Sequence, residues 1–362
     1  MTMVLGQRFR IELFGSSHGP EVGVSIDGLP KGTPVDVAAI QGDLDRRRPV
    51  GRRLATRRHE EDVLVVDHGV VDGRSDGTAF RAHVANTDVR REPYDRLRDT
   101  PRPGHADYPA RLRYGPDADL SGGGIFSGRM TVGLVIAGAI AKGLLSSKGI
   151  EIVAFTRSIG PVEMAPPEEL ELTELVRRSR SNEVGAADAE AADRMATVIQ
   201  EARRAGDSVG GIVEVRASGV PVGLGEPFFD SVESVLAHAY FSVPAVKGVE
   251  FGAGFRAARM RGSEHNDPFV VRDGAIRTTS NHAGGILGGL ATGMPIVARV
   301  VVKPTSSIAV RQTTVDLATL APAEIVVTGR HDPCIVPRAV VVLEAVTATS
   351  LADLALRGRF LP

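Results

Sequence analysis

Runs of β-branched residues, alternating with polar residues or continuous, occur at five places along the chain, and each run predicts a β-strand. They lie at Glu21–Asp27, 62–67, 78–85, 211–217 and Ile296–Val302. The connections within the strand regions are mostly short, which favours antiparallel pairing over parallel strands joined by helical crossovers.

Apolar residues at helical spacing mark four other stretches. These contain Val37, Ile40 and Leu44, residues 195–202, residues 131–145 and residues 339–356. The stretch 131–145 is shorter than the roughly 20 residues that a membrane span needs, and it is rich in Gly and Ala. It therefore predicts a buried helix that packs closely against its neighbours, and we expect no membrane association.

Two pairs of segments resemble each other within the chain. Residues 24–36 resemble residues 215–230, and residues 68–85 resemble residues 283–301, in the same order. Two structurally related halves would explain both pairs. No low-complexity linker separates the halves, so we predict one integrated domain over residues 1–362 with an α+β fold.

The composition excludes several classes of protein. Hydrophobic residues make up 43% and charged residues 24%, which is ordinary for a soluble globular protein. The 43 Lys and Arg residues balance 44 Asp and Glu residues, and aromatic residues make up only 4%, so a nucleic-acid partner is not expected. The single Cys334 excludes a disulfide framework within the chain and a multi-cysteine metal site. With no apolar segment typical of export at the N-terminus, the sequence predicts a cytoplasmic protein.

The basic residues are mostly arginine. Only five of the 43 are Lys, and arginines cluster at 46–48, 52–53 and 57–58. The guanidinium group binds phosphate and carboxylate in a planar, bidentate manner, so the cluster is suited to an anionic ligand. A solvated surface patch is the alternative that this pattern leaves open.

Two glycine-flanked loops each carry a histidine. His18 lies in Phe-Gly-Ser-Ser-His-Gly, and His105 lies in Arg-Pro-Gly-His-Ala-Asp-Tyr, two residues before Asp107. A carboxylate near an imidazole can orient it or favour its protonated form. Either histidine alone fits a structural role, but together, beside basic residues, they suggest a pair of general acids acting on an anionic substrate.

Further glycine-rich or hydroxyl-rich motifs are suited to phosphate binding. The loop 121–129 runs into the apolar helix, and a helix N-terminus offers backbone N–H groups to anions. It matches neither an ATP-type P-loop nor a dinucleotide fingerprint. Lys303 and the three hydroxyl residues after Pro304 form a second candidate phosphate grip, and 281–289 is another glycine loop. His331 and Asp332 lack the further ligands that a metal site needs, so we predict no metal.

These motifs resemble those of the chorismate synthase family in order and spacing. Ten or more short motifs match, covering nearly the whole chain: the Ser-His-Gly loop, RRRP, RPGHADY, GGG with AGAIAK, GDSVGG, VPVGLGEP, VKGVE, SNHAGGILGG, KPTSS and GRHDPC. The resemblance implies a β–α–β sandwich with long central helices between antiparallel sheets, and a homotetramer. It also implies a lyase of the shikimate pathway. Such a lyase makes chorismate by 1,4-anti elimination of phosphate from 5-enolpyruvylshikimate 3-phosphate, with reduced FMN required but no net redox change.

The resemblance also implies roles for particular residues. His18 would protonate the departing phosphate, His105 would protonate the reduced flavin, and Asp332 would assist proton removal through the flavin. Substrate contacts would come from Ser17, Arg48 and Arg129. Arg47 and Arg53 match positions that bind NADP in the family, which makes NADPH a second cofactor candidate. FMN contacts would come from Ile125, Phe126, Ser127, Pro244, Ala245, Gly288, Lys303, Pro304, Thr305, Ser306, Ser307 and Arg330.

The chain departs from the commonest family pattern at a few positions. Ser16 stands where Glu is usual, and the loop from Ile125 to Met130 lacks the usual Arg and Glu. Because both histidines and Asp332 are present, we expect an active enzyme. The alternatives are an NADPH-dependent flavin oxidoreductase, which would consume NADPH stoichiometrically, and an inactive flavin-binding paralogue.

Overall fold

The computed structural model describes residues 3–48, 54, 60–87, 99–115, 121–167, 170–329 and 331–361. The strands are β1 (Val4–Leu5), β2 (Arg10–Gly15), β3 (Glu21–Asp27), β4 (Val65–His68), β5 (Val70–Val71), β6 (Arg74–Ser75), β7 (Phe80–Ala85), β8 (Glu151–Ile159), β9 (Val162–Glu163), β10 (Gly211–Ser218), β11 (Val246–Phe251), β12 (Phe269–Arg272), β13 (Ala275–Thr278), β14 (Ile286–Leu287), β15 (Leu290–Ala291), β16 (Ile296–Val302), β17 (Gln312–Val315) and β18 (Pro322–Ile325). The helices are α1 (Val37–Arg47), α2 (Asp107–Tyr114), α3 (Thr131–Ser146), α4 (Leu172–Ser179), α5 (Ala189–Arg204), α6 (Val232–Ser242), α7 (Gly262–His265) and α8 (Val336–Arg357).

Two five-stranded antiparallel sheets form the outer layers. The first has the strand order β1-β2-β3-β7-β4, and the second has the order β11-β16-β10-β8-β9. The similar segments of the sequence occupy matching places, because β3 pairs with β7 in one sheet and β10 pairs with β16 in the other, both antiparallel. The prediction of two related halves is confirmed.

Long apolar helices fill the space between the sheets. Helix α3 packs against β2, β3 and β7, helix α8 packs against β8 and β10, and the two helices pack on each other. Small residues allow this close approach, because a Cβ atom on Gly138 would overlap the side chain of Ala345. The molecule is therefore an α+β protein with a β–α–β sandwich, as the resemblance implied.

Two helical segments are long and apolar enough to cross a membrane by length and composition, Gly128–Ser146 and Val336–Arg357. Within the fold, 83% and 89% of their apolar windows are buried. Their hydropathy is accounted for by their place at the centre of the sandwich, where both faces of the helix layer meet a sheet.

A buried ionic cluster joins three helices of the central layer. Glu344 on α8 accepts hydrogen bonds from Arg46 on α1, at 2.8 Å and 3.1 Å, and from Lys142 on α3 at 2.7 Å. Burial alone would raise the pKa of Glu344, but the charges of Lys142 and Arg46 outweigh burial and lower it to about 2. The cluster orients α1, whose C-terminal end contributes Arg47 to the site below.

Most of the predicted elements have the expected place. The strand expected at 62–67 is shifted, because β4 begins at Val65 and pairs with β7 through a bulge. The strands β8 and β11 and the helices α4 and α6 were not predicted.

Candidate active site

A cavity of about 600 Å³ lies where the first turn of α8 meets four other segments of the chain. Pockets of roughly 300 to 1,000 Å³ are typical of small-molecule sites. Its lining comes from the loops 102–106, 122–129, 241–247 and 303–307, and from residues 331–342. Cationic side chains outnumber acidic ones in this lining: Arg47, Arg102, Arg129, Lys247, Lys303 and Arg338 against Glu60 and Asp332. The cavity therefore favours an anionic ligand.

Two buried arginines form one wall of the cavity. Arg47 donates to Asp62 at 3.0 Å, to the Thr131 hydroxyl at 2.9 Å and to the Gly128 carbonyl at 3.0 Å. Arg129 donates to Asp62 and pairs with Glu60 at 2.6 Å. Burial lowers the pKa of Arg47 to about 9, against the opposing charge of Asp62. Both guanidinium groups are thus fixed in orientation, and Arg47 stays protonated at neutral pH.

His18 is buried in the loop that follows β2. Its Nδ1 lies 3.1 Å from the hydroxyl of Ser17. The amide of Asn86 donates to the carbonyls of Ser16 and Gly19, and this holds the loop in shape. Neither Ser17 nor His18 lines the cavity directly, but both contact Gly122, which does.

The glycine loop before α3 lies beside both predicted histidines. Gly122, Gly123 and Gly124 all have positive φ, which favours residues without a side chain. Gly122 packs against the His18 ring, and a Cβ on Gly123 would lie 3.6 Å from Nε2 of His105. The two adjacent glycines therefore bring His18 and His105 to the same loop.

His105 is held by a carboxylate and a guanidinium group. Its Nδ1 lies 2.5 Å from Oδ1 of Asp107, and Arg102 donates to both carboxylate oxygens of Asp107 at 2.7 Å. Burial would raise the pKa of Asp107, but the hydrogen bonds from Arg102 and His105 outweigh it and hold that pKa well below its usual range. The carboxylate is ionised, and Nε2 of His105 is the ring nitrogen on the side of Gly123.

Asp332 lines the cavity from the opposite side, at the turn before α8. Arg338 donates to Oδ2 of Asp332 at 2.5 Å and to the Arg47 carbonyl at 3.0 Å. The neighbouring His331 also lines the cavity, and burial together with the charge of Arg102 lowers its pKa, against the opposing charge of Asp332. The imidazole of His331 is therefore neutral at neutral pH.

The loop after β16 supplies a cation and hydroxyl groups. Lys303 donates to the Ser306 hydroxyl at 3.0 Å, and Ser306 donates to the Gly104 carbonyl at 2.7 Å. Arg102 donates to the Ser307 hydroxyl at 3.0 Å, so this loop is tied to the His105 loop at two points. Burial and the nearby charge of Lys247 lower the pKa of Lys303.

Most of the predicted site residues converge on the cavity. Those that line it are His105, Asp332, Arg47, Arg129, Ile125, Phe126, Ser127, Pro244, Ala245, Lys303, Thr305, Ser306 and Ser307. Among the described residues, Arg48, Gly288 and Pro304 do not line it: Arg48 donates to the Glu61 carbonyl near the surface, and Gly288 lies in the β14–β15 turn. Arg53 and Arg330 lie outside the described residues.

Several lining residues were missed by the sequence reasoning. Arg102 lies in the motif RPGHADY and Lys247 lies in VKGVE, so both could have been predicted as site residues from these motifs. Arg338 lies in the first turn of a mostly apolar helix, where only the fold shows that it reaches Asp332. Over the described ranges, no group of three or more His, Cys, Asp or Glu side chains is placed to hold a metal ion.

Comparisons with known proteins agree with this geometry. The family model for chorismate synthase matches residues 9–356. A curated relative named chorismate synthase, from Methanosarcina barkeri (strain Fusaro / DSM 804), is 50% identical over 358 residues, which are 99% of this chain and 97% of that protein. One from Korarchaeum cryptofilum (strain OPF8), with the same name, is 50% identical over 355 residues and covers 98% of each chain.

Solved structures show the same likeness. One described as the crystal structure of chorismate synthase superposes with a TM-score of 0.78 at 29% sequence identity. The match covers 98% of this chain and 93% of the other.

Proposed function

The chain belongs to the chorismate synthase family, and we propose that the cavity lined by His105, Asp332 and Lys303 is its active site. The activity is that of a carbon–oxygen lyase: phosphate is eliminated from 5-enolpyruvylshikimate 3-phosphate to give chorismate. The observation that carries the site assignment is the placement of His18 against Gly122 and of His105 near Gly123, at the lining of a cationic cavity.

The cavity fits the ligands of this reaction in charge. The substrate bears one phosphate and two carboxylates, and FMN bears another phosphate. Arg47 and Arg129 present fixed positive charge on one wall, while Lys303 and the hydroxyls of residues 305–307 form a grip for phosphate on another. Ile125, Phe126 and Phe241 add apolar surface, which suits a flat ring system.

When bound, reduced FMN would supply reversible transfer of one electron, with no net redox change. We propose that Lys303, Thr305, Ser306 and Ser307 hold its phosphate. The lining residues 125–127, Pro244 and Ala245 would hold the rest, and we assign Gly288, Pro304 and Arg330 to the same ligand on the resemblance alone.

Each catalytic side chain has one task in this proposal. His18 gives a proton to the departing phosphate from the Gly122 side, with Ser17 at its Nδ1. His105 holds a proton at Nε2 toward the cavity. Asp332, which accepts a hydrogen bond from Arg338, accepts a proton within the cavity. Arg48 and Arg129 bind the anionic groups of the substrate, and the cationic wall stabilises negative charge as it develops on the leaving phosphate.

The test is an anaerobic assay for chorismate with FMN reduced by dithionite. We expect activity in the wild type and a loss of roughly 100-fold or more in His18→Ala and His105→Ala. His68→Ala is the matched control, because His68 is exposed, hydrogen bonds to the Ala79 carbonyl and does not line the cavity. A wild-type protein that makes no chorismate under these conditions would overturn the proposal.

NADPH as the source of electrons is a separate proposal. It is supported by Arg47, which lines the cavity, and by the match of Arg53 to the family pattern. Chorismate formation from NADPH and FMN without dithionite would support it. Activity that requires dithionite under otherwise equal conditions would assign FMN reduction to another protein.

We also propose a homotetramer in the cytoplasm. Large aromatic side chains are exposed on the single chain, including Phe228 at 85%, Phe229 at 93% and Phe255 at 82%. Subunit interfaces commonly bury such side chains. Light scattering should give the mass of four chains. The buried free thiol of Cys334 fits a reducing compartment, and recovery of the enzyme from a secreted fraction would contradict the location.

A further inference from the structure

Asp107 makes more contacts with the His105 loop than the start of a helix requires. Its Oδ2 accepts from the backbone N–H and from Nε of Arg102, at 3.0 Å and 2.7 Å. Its Oδ1 accepts from Nη2 of Arg102 at 2.7 Å and lies 2.5 Å from Nδ1 of His105. The carboxylate is thus surrounded by donors on both oxygens.

This arrangement fixes which nitrogen of His105 carries a proton. Asp107 is ionised and can only accept hydrogen bonds, so the 2.5 Å contact requires a hydrogen on Nδ1 of His105. Nη2 of Arg102 lies 3.1 Å from the same Nδ1 and could donate to a lone pair there, but an unprotonated Nδ1 would then face the anionic Oδ1 of Asp107 at 2.5 Å with no hydrogen between them, so the shorter contact decides for a proton on Nδ1. Nε2 is then the nitrogen that gains or loses a proton, on the Gly123 side.

We propose that Asp107 is a positioning residue that, with Arg102, fixes the tautomer and orientation of His105. This rests on the proposed function of His105 as the proton donor. The carboxylate stabilises the imidazolium before transfer, and it holds the proton on Nδ1 afterwards, so that each turnover leaves the same tautomer. A merely structural Asp107 would stabilise the start of α2 without affecting the chemistry of the imidazole.

The variant Asp107→Asn separates these roles. Arg102 supplies two donors at the position of Oδ2, so the single amide oxygen of Asn is expected to turn toward them. The amide NH₂ group then faces Nδ1 of His105 and donates to it. Nδ1 must be unprotonated to accept this hydrogen bond, so the proton of the neutral ring moves to Nε2. Asp107→Glu keeps the charge, and Asp99→Asn is the matched control, because Asp99 pairs with Arg111 in the same segment at the surface.

The first readout is kinetic. For Asp107→Asn we expect kcat to fall roughly 10- to 100-fold, with KM and the dissociation constant of FMN changed by less than about threefold. The alkaline limb of the kcat–pH profile should move to lower pH, because the imidazolium loses an anion and keeps Arg102 beside it. Asp107→Glu should restore that limb toward its original position. Charged and titratable groups that share the cavity with His105 are unchanged in these variants: Arg47, Glu60, Arg129, Lys247, Lys303, His331, Asp332 and Arg338, with His18 behind Gly122.

The second readout does not depend on activity. In protein labelled with ¹⁵N-histidine, and with His105 assigned by its loss in His105→Gln, the ring signals should show Nδ1 protonated in the wild type and Nε2 protonated in Asp107→Asn. A neutral His105 that carries its proton on Nε2 and not on Nδ1 in the wild type, or kinetics and pH profile of Asp107→Asn equal to those of Asp99→Asn, would overturn the proposal. A wild type with the expected tautomer but without chorismate formation would overturn only the proposed function.

Discussion

Gly122 and His18 pack so closely that a Cβ atom on Gly122 would overlap Cε1 and Nδ1 of the His18 ring and lie 2.9 Å from the Ser17 hydroxyl. The His18 ring is buried and is hydrogen-bonded to the Ser17 hydroxyl, so it has little freedom to move away from Gly122. At the next residue, a Cβ on Gly123 would meet Ser127 and His105 at 3.5 Å to 3.7 Å. Two adjacent glycines therefore pack against the two histidines, and the contact at Gly122 is the tighter one.

Replacing Gly122 by Ala should inactivate the enzyme without unfolding it. The new methyl group must push His18 away from its place beside Gly122, so we expect chorismate formation to fall by roughly 100-fold or more. The positive φ of 59° adds backbone strain of about 1 kcal/mol or more. Anaerobic turnover and thermal unfolding are the measurements.

The matched control for this change is Gly115→Ala. Gly115 has a φ of 86° but nothing within 4 Å of a new Cβ, so the variant carries the backbone strain without the contact to a histidine. We expect a lower melting temperature and nearly normal turnover. If Gly122→Ala kept as much activity as Gly115→Ala, the close packing would not position His18.

The pair of Asp332 and Arg338 should matter for turnover more than for folding. Asp332→Asn removes the acceptor of a proton while keeping the shape of the side chain, so we expect kcat to fall roughly 10- to 1,000-fold with KM little changed. Asp230→Asn is the control. Asp230 pairs at 2.9 Å with Arg357, which lies at the C-terminal end of α8, whereas Arg338 lies in the first turn of that helix. Steady-state anaerobic kinetics of both variants give the answer, and equal losses in the two would contradict a catalytic role.

The sequence predicted secondary structure best where the pattern of apolar and polar residues within one element was clear. Over seven positions each, β3 alternates apolar and polar residues and β16 is an apolar run broken only by Arg299, and the bounds of both were predicted to the residue. β8 was missed because nearly all its residues are buried, which removes the alternation. The helix Leu172–Ser179 was missed because its polar residues mask one buried stripe through Leu175.

Individual site residues could be predicted only where a short motif surrounds a chemically reactive side chain. His18, His105 and Asp332 could be named because glycines, prolines and charges surround them in short motifs. Their arrangement could not, because it depends on Gly122 and Gly123 packing against two histidines, His18 and His105, that are 87 residues apart in sequence. Arg338 belongs to the same class, since its contact with Asp332 follows from the turn into α8. The single domain over residues 1–362 stays a prediction.

The buried cluster around Glu344 should make stability depend on pH in the acidic range. The pKa of Glu344 is about 2 in the folded chain and 4.5 in its ordinary state, so folding binds fewer protons at this group. Its contribution is complete above about pH 4.5 and is lost as pH falls toward 2, a change of about 3 kcal/mol. Urea unfolding from pH 6 to pH 2 should show this slope in the wild type.

In Glu344→Gln the free energy of unfolding should change less between pH 6 and pH 2 than in the wild type. It should also be lower at every pH, because Arg46 and Lys142 lose their carboxylate. Glu174→Gln is the control: Glu174 pairs with Arg177 and Arg178 on an exposed helix, where solvent screens the charges. A wild-type and a Glu344→Gln protein with parallel stability–pH curves would show that the cluster does not hold the carboxylate ionised.

Binding of FMN should weaken as pH rises, through Lys303. Burial and the charge of Lys247 lower the pKa of Lys303, so this ammonium group loses its proton at a lower pH than an exposed lysine. A bound phosphate favours the charged form, and affinity is therefore expected to fall once pH passes the lowered pKa. Titration of oxidised FMN between pH 7 and pH 9.5, followed by flavin fluorescence, measures the slope.

The variant Lys303→Met separates the effect of Lys303 on the pH dependence of FMN affinity from that of FMN itself. Protonation of FMN affects the wild type and the variant equally, so a difference between their pH slopes comes from Lys303. We expect affinity at pH 7 to fall roughly 10- to 100-fold, the value of one charge-assisted hydrogen bond, and the fall at alkaline pH to disappear. Lys148→Met, at an exposed position after α3, should behave as the wild type at every pH. An unchanged pH slope in Lys303→Met would place the flavin phosphate elsewhere in the cavity, away from the loop 303–307.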